Sequence, residues 1–102
     1  MKAWLIIDEQ EVIDFFEETI RKIEYIELEI FCDIDVFLKR LEEPDGADMI
    51  FLDGSLEGVN LSSADIVKKI RKEEGGDVLI YALTNSLRIE KEMEEAGSNG
   101  YF

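Results

Sequence analysis

Three short runs limit what this chain can fold into: Trp4-Leu5-Ile6-Ile7, Met49-Ile50-Phe51-Leu52 and Val78-Leu79-Ile80-Tyr81-Ala82-Leu83. Each is apolar throughout. A strand with one wet face alternates, so an unbroken apolar run calls for cover on both faces of its sheet. Between the runs the pattern changes to a helical period. From Gln10 to Glu24, Val12, Ile13, Phe16, Ile20 and Ile23 share a face with acids opposite. Ile26, Leu28 and Ile30 alternate with glutamates, which predicts a half-buried strand at a sheet edge. Asp33 can cap a second helix carrying Val36, Phe37 and Leu41, stopped by Glu43-Pro44-Asp45-Gly46. A polar stretch from Gly54 to Ser63 reads as a flexible loop. Ser62 or Ser63 then caps a third helix with Ile66, Val67 and Ile70 inward, and Gly75-Gly76 ends it. Leu87 to Glu95 is the fourth, with Ile89, Met93 and Ala96 on one face and Ala96-Gly97 as its close. Tyr101-Phe102 begin one more apolar run. The order βαβαβαβαβ predicts a single α/β domain over 1–102. Its parallel five-stranded sheet is expected to be doubly wound, in the order 2-1-3-4-5, with a frayed or very short last strand.

The ends of the three runs carry the chemistry. Asp53 ends the middle run, Asp8-Glu9 the first and Thr84 the last. Open α/β sheets bind ligands at the carboxyl ends of their strands. If the strands are parallel neighbours, these groups converge, and the set suits a divalent cation and a phosphoryl group on Asp53. A plainer explanation fits any one of them, because helix caps and turns favour acids and hydroxyls after strands. It is weaker for three in this order.

Composition narrows the chemistry further. The chain has no histidine and one cysteine, Cys32, which follows a strand-like run and reads as a packing residue. A Cys/His zinc site, an internal disulfide and a histidine-assisted serine or cysteine nucleophile are all excluded. A metal here is bound by oxygen, which points to magnesium, manganese or calcium. The net charge of −14, from 25 acids and 11 bases, argues against nucleic acid and against anionic membranes. Lys68, Lys69, Arg71 and Lys72 form a basic cluster, read as the solvated face of a helix in preference to a docking point for an acidic partner. No apolar run is long enough to span a bilayer, and the chain starts directly on a strand with no signal peptide. A cytoplasmic protein is expected.

Taken in order, Leu5-Ile6-Ile7-Asp8-Glu9, Met49-Ile50-Phe51-Leu52-Asp53, Ile70-Arg71, Ala82-Leu83-Thr84 and Ala96-Gly97-Ser98-Asn99-Gly100-Tyr101 resemble a response-regulator receiver domain over essentially the whole chain. The resemblance implies that Asp53 accepts a phosphoryl group from a histidine kinase or phosphotransfer protein. It implies a Mg²⁺ ion held by Asp8, Glu9, Asp53 and the Ser55 carbonyl. It also implies that Thr84 bonds the phosphoryl group, and that Tyr101 changes burial with Thr84 as a two-state switch. The sequence departs from the family in three places. It ends at Phe102, before the lysine that follows the fifth strand and before a fifth helix. The loop after Asp53 is long, and Glu57 stands where a proline is common.

Three functions compete. A stand-alone receiver would signal by contact with a downstream protein, and would catalyse at most its own phosphorylation and dephosphorylation. A degenerate receiver would act as a phosphorylation-independent interaction module, which the missing lysine favours and the acids and Thr84 oppose. A phosphatase of the haloacid-dehalogenase type is suggested by Phe51-Leu52-Asp53-Gly54-Ser55. It is disfavoured, because Phe51 occupies the nucleophile's position. If this C-terminus is natural, no fifth helix covers one sheet face near the third to fifth strands, and a two-fold homodimer through it is expected; the competing reading is a further C-terminal segment that covers the face.

Overall fold

The computed structural model describes residues 1–7, 9–54, 62–74, 77–84 and 86–101. Five strands, β1 (Lys2–Ile6), β2 (Glu27–Phe31), β3 (Met49–Asp53), β4 (Leu79–Leu83) and β5 (Gly100–Tyr101), alternate with four helices. The helices are α1 (Gln10–Ile20), α2 (Ile34–Leu41), α3 (Ser63–Glu74) and α4 (Leu87–Ala96). The strands form one parallel sheet, as the alternation predicts, in the expected order β2-β1-β3-β4-β5. The alternating run takes the edge and the three unbroken runs take the centre. The last strand has two residues.

Strand geometry divides the central side chains between two layers. Trp4, Ile6, Ile50, Leu52, Ile80 and Ala82 face one way, packed against Phe37 and Leu41 of α2, Ile66, Val67 and Ile70 of α3, and Met93 of α4. Trp4, Phe31 and Phe37 meet edge to face there, with centroids 5.6–6.0 Å apart. Ala3, Leu5, Leu28 and Phe51 face the other way, toward Ile13 and Phe16 of α1. The Phe16 and Phe51 rings lie 4.9 Å apart. On that second side the apolar surface of β4 stays half-open. Tyr81 and Leu83 are half-buried, and Leu79 is 38% exposed.

Several local expectations need correction. α1 ends at Ile20 instead of Glu24, and Ile23 N–H turns back to the Ile20 carbonyl at 3.0 Å. Val36 is 55% exposed; the inward face of α2 is made by Ile34, Phe37, Leu38 and Leu41, whose spacing follows the helical period. Cys32 is exposed, because the strand's alternation spends its last inward position on Phe31. Of the two serines expected to cap α3, Ser62 does so, as the sequence allows. Its hydroxyl accepts from Asp65 N–H at 3.2 Å, while the Asp65 carboxylate accepts from Ser62 N–H at 3.1 Å. The Ser62 N–H and, at 3.0 Å, the Ser62 hydroxyl both donate to that carboxylate and hold it below its ordinary value.

Arg71 leaves the basic face of α3. Its guanidinium donates to the Gly97 carbonyl at 2.9 Å, and to the Val78 carbonyl and Asn99 Oδ1 at 2.6 Å each. Lys68, Lys69 and Lys72 are solvated as expected. At the amino ends of the strands, Arg40 lies over the Trp4 ring at 5.0 Å and pairs with Glu29, Glu43 and Asp45. Lys2 reaches Asp45 at 2.9 Å. Its hydrogen bond, with that of Arg40, lowers the Asp45 carboxyl to about 2.

Candidate functional site

Parallel register places the carboxyl ends of β1, β3 and β4 side by side. Ile6 pairs with Leu52, and Asp53 pairs with Leu83. One step beyond those pairs the chain turns out of the sheet, so residues there line a common rim. Asp53 is the last residue of β3 and is only 8% exposed. It shares a cleft of about 270 Å³ with Glu9 and Thr84. The opposite wall is apolar, made by Val12 and Phe15 of α1 and Leu83 of β4, and Phe15 is 54% exposed.

Each group at the rim discriminates between chemistry and plain capping. Glu9 is the N-cap residue of α1, yet its side chain makes no capping hydrogen bond and is exposed. A short Asp or Ser would serve that cap better, so Glu9 offers the helix start its charge and not a capping bond, which leaves its carboxylate oxygens open to the cleft. Thr84 does have a local task. Its hydroxyl accepts from Ser86 N–H at 3.1 Å, and Ser86 in turn caps α4 by accepting from Ile89 N–H at 3.4 Å. Thr84 thus touches the cleft and the first turn of α4 together.

Of the six residues expected at the site, the structure brings together Glu9, Asp53 and Thr84. Asp8 and Ser55 lie outside the described residues. So does the Tyr101 side chain, whose backbone pairs with Ala82 in the sheet. Among the described residues, no three acids gather as a complete metal site. The chemistry of the donors present, two carboxylates on one cleft, suits a hard cation bound through oxygen.

Two participants escaped the reading of motifs. The Ser63 hydroxyl, 3% exposed, donates to the Asp53 carbonyl at 2.7 Å and ties the start of α3 to the end of β3. Gly54 donates its N–H to the Leu83 carbonyl at 3.0 Å and lies against Thr84 and Ile89. Ser63 carried a weak signal as a hydroxyl at a helix start. Gly54 carried none beyond its position after Asp53.

The sequence matches no family model, and no curated protein matches it. Solved structures do resemble it. A CheY-like response regulator receiver domain protein from Methanospirillum hungatei superposes with a TM-score of 0.80 at 18% identity, covering 99% of this chain and 78% of that one. The chemotaxis protein CheY4 of Vibrio cholerae gives 0.77 at 19%, covering 99% and 83%. A response regulator from Burkholderia pseudomallei, solved with a phosphorylated aspartic acid, calcium ion and citrate, gives 0.80 at 16%. It covers 98% of this chain, which spans 57% of that protein. The chain has the receiver-domain fold: a doubly wound parallel sheet with its cleft at the strand ends.

Proposed function

We propose that these 102 residues form a receiver module of two-component phosphorelay signalling, phosphorylated on Asp53. The observation that carries the reading is the placement of Asp53. It is a largely buried carboxylate at the end of the central strand, sharing its cleft with an uncommitted glutamate and a threonine. A carboxylate oxygen of Asp53 attacks the phosphorus of a phosphohistidine on a kinase or phosphotransfer protein. The new P–O bond forms as the P–N bond breaks, and its electron pair leaves with the imidazole. Glu9 and Asp53, with Asp8 and the Ser55 carbonyl, would hold Mg²⁺. The ion would offset the repulsion between the carboxylate and the anionic phosphoryl group. Thr84 supplies a hydroxyl donor for a phosphoryl oxygen, and Tyr101 is the proposed second half of the switch. Output is contact with a downstream protein, with no catalysis beyond the module's own phosphorylation and dephosphorylation.

Acetyl phosphate with Mg²⁺ tests the proposal. The wild-type protein should gain the mass of one phosphoryl group, labile to base, and Asp53→Asn should gain none. Equal labelling of both proteins, or a base-resistant adduct, would refute it. One observation favours a degenerate receiver acting independently of phosphorylation: no lysine or arginine is among the described residues lining the cleft. That alternative predicts no adduct on either protein.

A further inference from the structure

Gly54 is tightly enclosed. A Cβ built on it would lie 2.7 Å from Thr84 Cβ, 2.9 Å from Ile89 Cγ2 and 3.1 Å from Thr84 Oγ1. Real Cβ atoms do not approach carbon that closely, so the position requires glycine for space. Backbone conformation is not the reason, since the positive φ found among the described glycines belongs to Gly97. The atoms in the way are informative. The nearest is the backbone-proximal carbon of Thr84, which cannot swing aside without moving the end of β4. Next is the branch of Ile89, in the first turn of α4. Thr84 and Ile89 are also joined through Ser86, by the two hydrogen bonds at 3.1 Å and 3.4 Å. Gly54 directly follows Asp53, the last residue of β3, and its N–H is bonded to the carbonyl of Leu83, the residue before Thr84.

We infer that Gly54 is a positioning residue. Its missing side chain lets Thr84 and the first turn of α4 close onto the end of β3, which seats the Thr84 hydroxyl at the Asp53 cleft. The inference rests on the phosphorylation of Asp53 proposed above. It adds that the depth of α4 against β3 sets how well Thr84 serves that reaction. Any side chain at position 54 would lever Thr84 and Ile89 outward together.

Gly54→Ala, Ile89→Ala and the double variant test this. Two readouts are used: phosphorylation of Asp53 from acetyl phosphate with Mg²⁺, followed by intact mass, and the methyl NMR signals of Thr84 and of Ile89 where it is retained. Gly54→Ala should shift the Thr84 and Ile89 methyls and slow phosphorylation per folded molecule by roughly tenfold, as expected for a misplaced group. Removing the Ile89 branch in the double variant should recover the part of that rate lost through α4, while the contact with Thr84 Cβ remains. A glycine that merely supports the fold would lower the thermal midpoint and leave the rate per folded molecule unchanged. Unmoved Thr84 and Ile89 methyls in Gly54→Ala would overturn the inference, whether its rate is wild-type or slow. If Gly54→Ala does not fold, the double variant decides. Folded and active it supports the inference; unfolded it removes it. If the wild-type protein takes no phosphoryl group, the proposed function fails, and the Thr84 and Ile89 methyls alone decide the role of Gly54.

Discussion

The Asp53 carbonyl accepts a 2.7 Å hydrogen bond from the buried Ser63 hydroxyl, so the end of β3 is pinned from α3. Ser63→Ala would leave that carbonyl without this donor, at a cost of about 1–2 kcal/mol. In a domain of this size each kcal/mol lowers the midpoint by about 4–8 °C, which a thermal melt resolves. An unchanged midpoint would mean that water replaces the hydroxyl. Asp45 gives a second prediction, this one in pH. Its carboxyl sits at about 2 in the folded protein, against an ordinary 3.8, because Lys2 and Arg40 hold the charged form. The unfolded chain binds that proton more tightly, so the contribution is fully present above pH 3.8 and is lost as pH falls toward 2. The pair is exposed, so the effect should be small. Acid melts of wild type and Asp45→Asn should differ most above pH 4 and converge near pH 2. Asp53, Glu9 and Thr84 were legible as site candidates because each follows an apolar run, and register then brings the run ends level. Ser63 and Gly54 were not, because their roles depend on which element lies opposite, and local pattern carries nothing about that.

Arg71 sets how the last elements sit. Its guanidinium joins α3 to the start of β4 and to the turn between α4 and β5. Asn99 extends the clamp: its side-chain oxygen also accepts from Ile80 N–H at 2.8 Å, and its own N–H donates to the Ile80 carbonyl at 2.8 Å. With two residues, β5 has little ladder of its own, so side chains hold it in place. Arg71→Met keeps the aliphatic stem and removes the charge-assisted bonds, and should cost on the order of 2–3 kcal/mol. Hydrogen exchange should locate the loss at Ile80 and Asn99, while amides of β1 keep their protection. Uniform loss across the sheet would assign Arg71 to global stability instead. The elements themselves were readable in advance, since unbroken runs became central strands and the alternating run became the edge. The early end of α1 was not. The apolar spacing continues to Ile23, but Ile23 N–H turns back to Ile20 and the chain leaves the helix toward β2. Arg71 stands in the sequence with three other bases on one helix face, and sequence shows that face and not the carbonyls that converge on it.

Two features of the whole molecule pull against each other. The net charge of −14 keeps copies apart, while the second side of the sheet presents Leu79, Tyr81 and Leu83 without full cover. Apolar surface beside a packed core is the kind of surface that associates, and a second copy could meet it across a two-fold axis with like surface facing like. Charge repulsion would oppose that pairing and weaken as salt screens it: the Debye length falls from about 10 Å at 0.1 M to about 3 Å at 1 M. Self-association through this face should therefore strengthen with added salt, opposite to a complex held by charge attraction. Sedimentation over a concentration series, at low and at high salt, measures it. Leu79→Ser, at a position already 38% exposed, should reduce association and leave the melt nearly unchanged. The serine is neutral, so the repulsive charge is the same in both proteins and any change reports the apolar contact. A monomer at every concentration and both salts would exclude the dimer. Association that weakens as salt rises would place the contact on charged surface and away from β4.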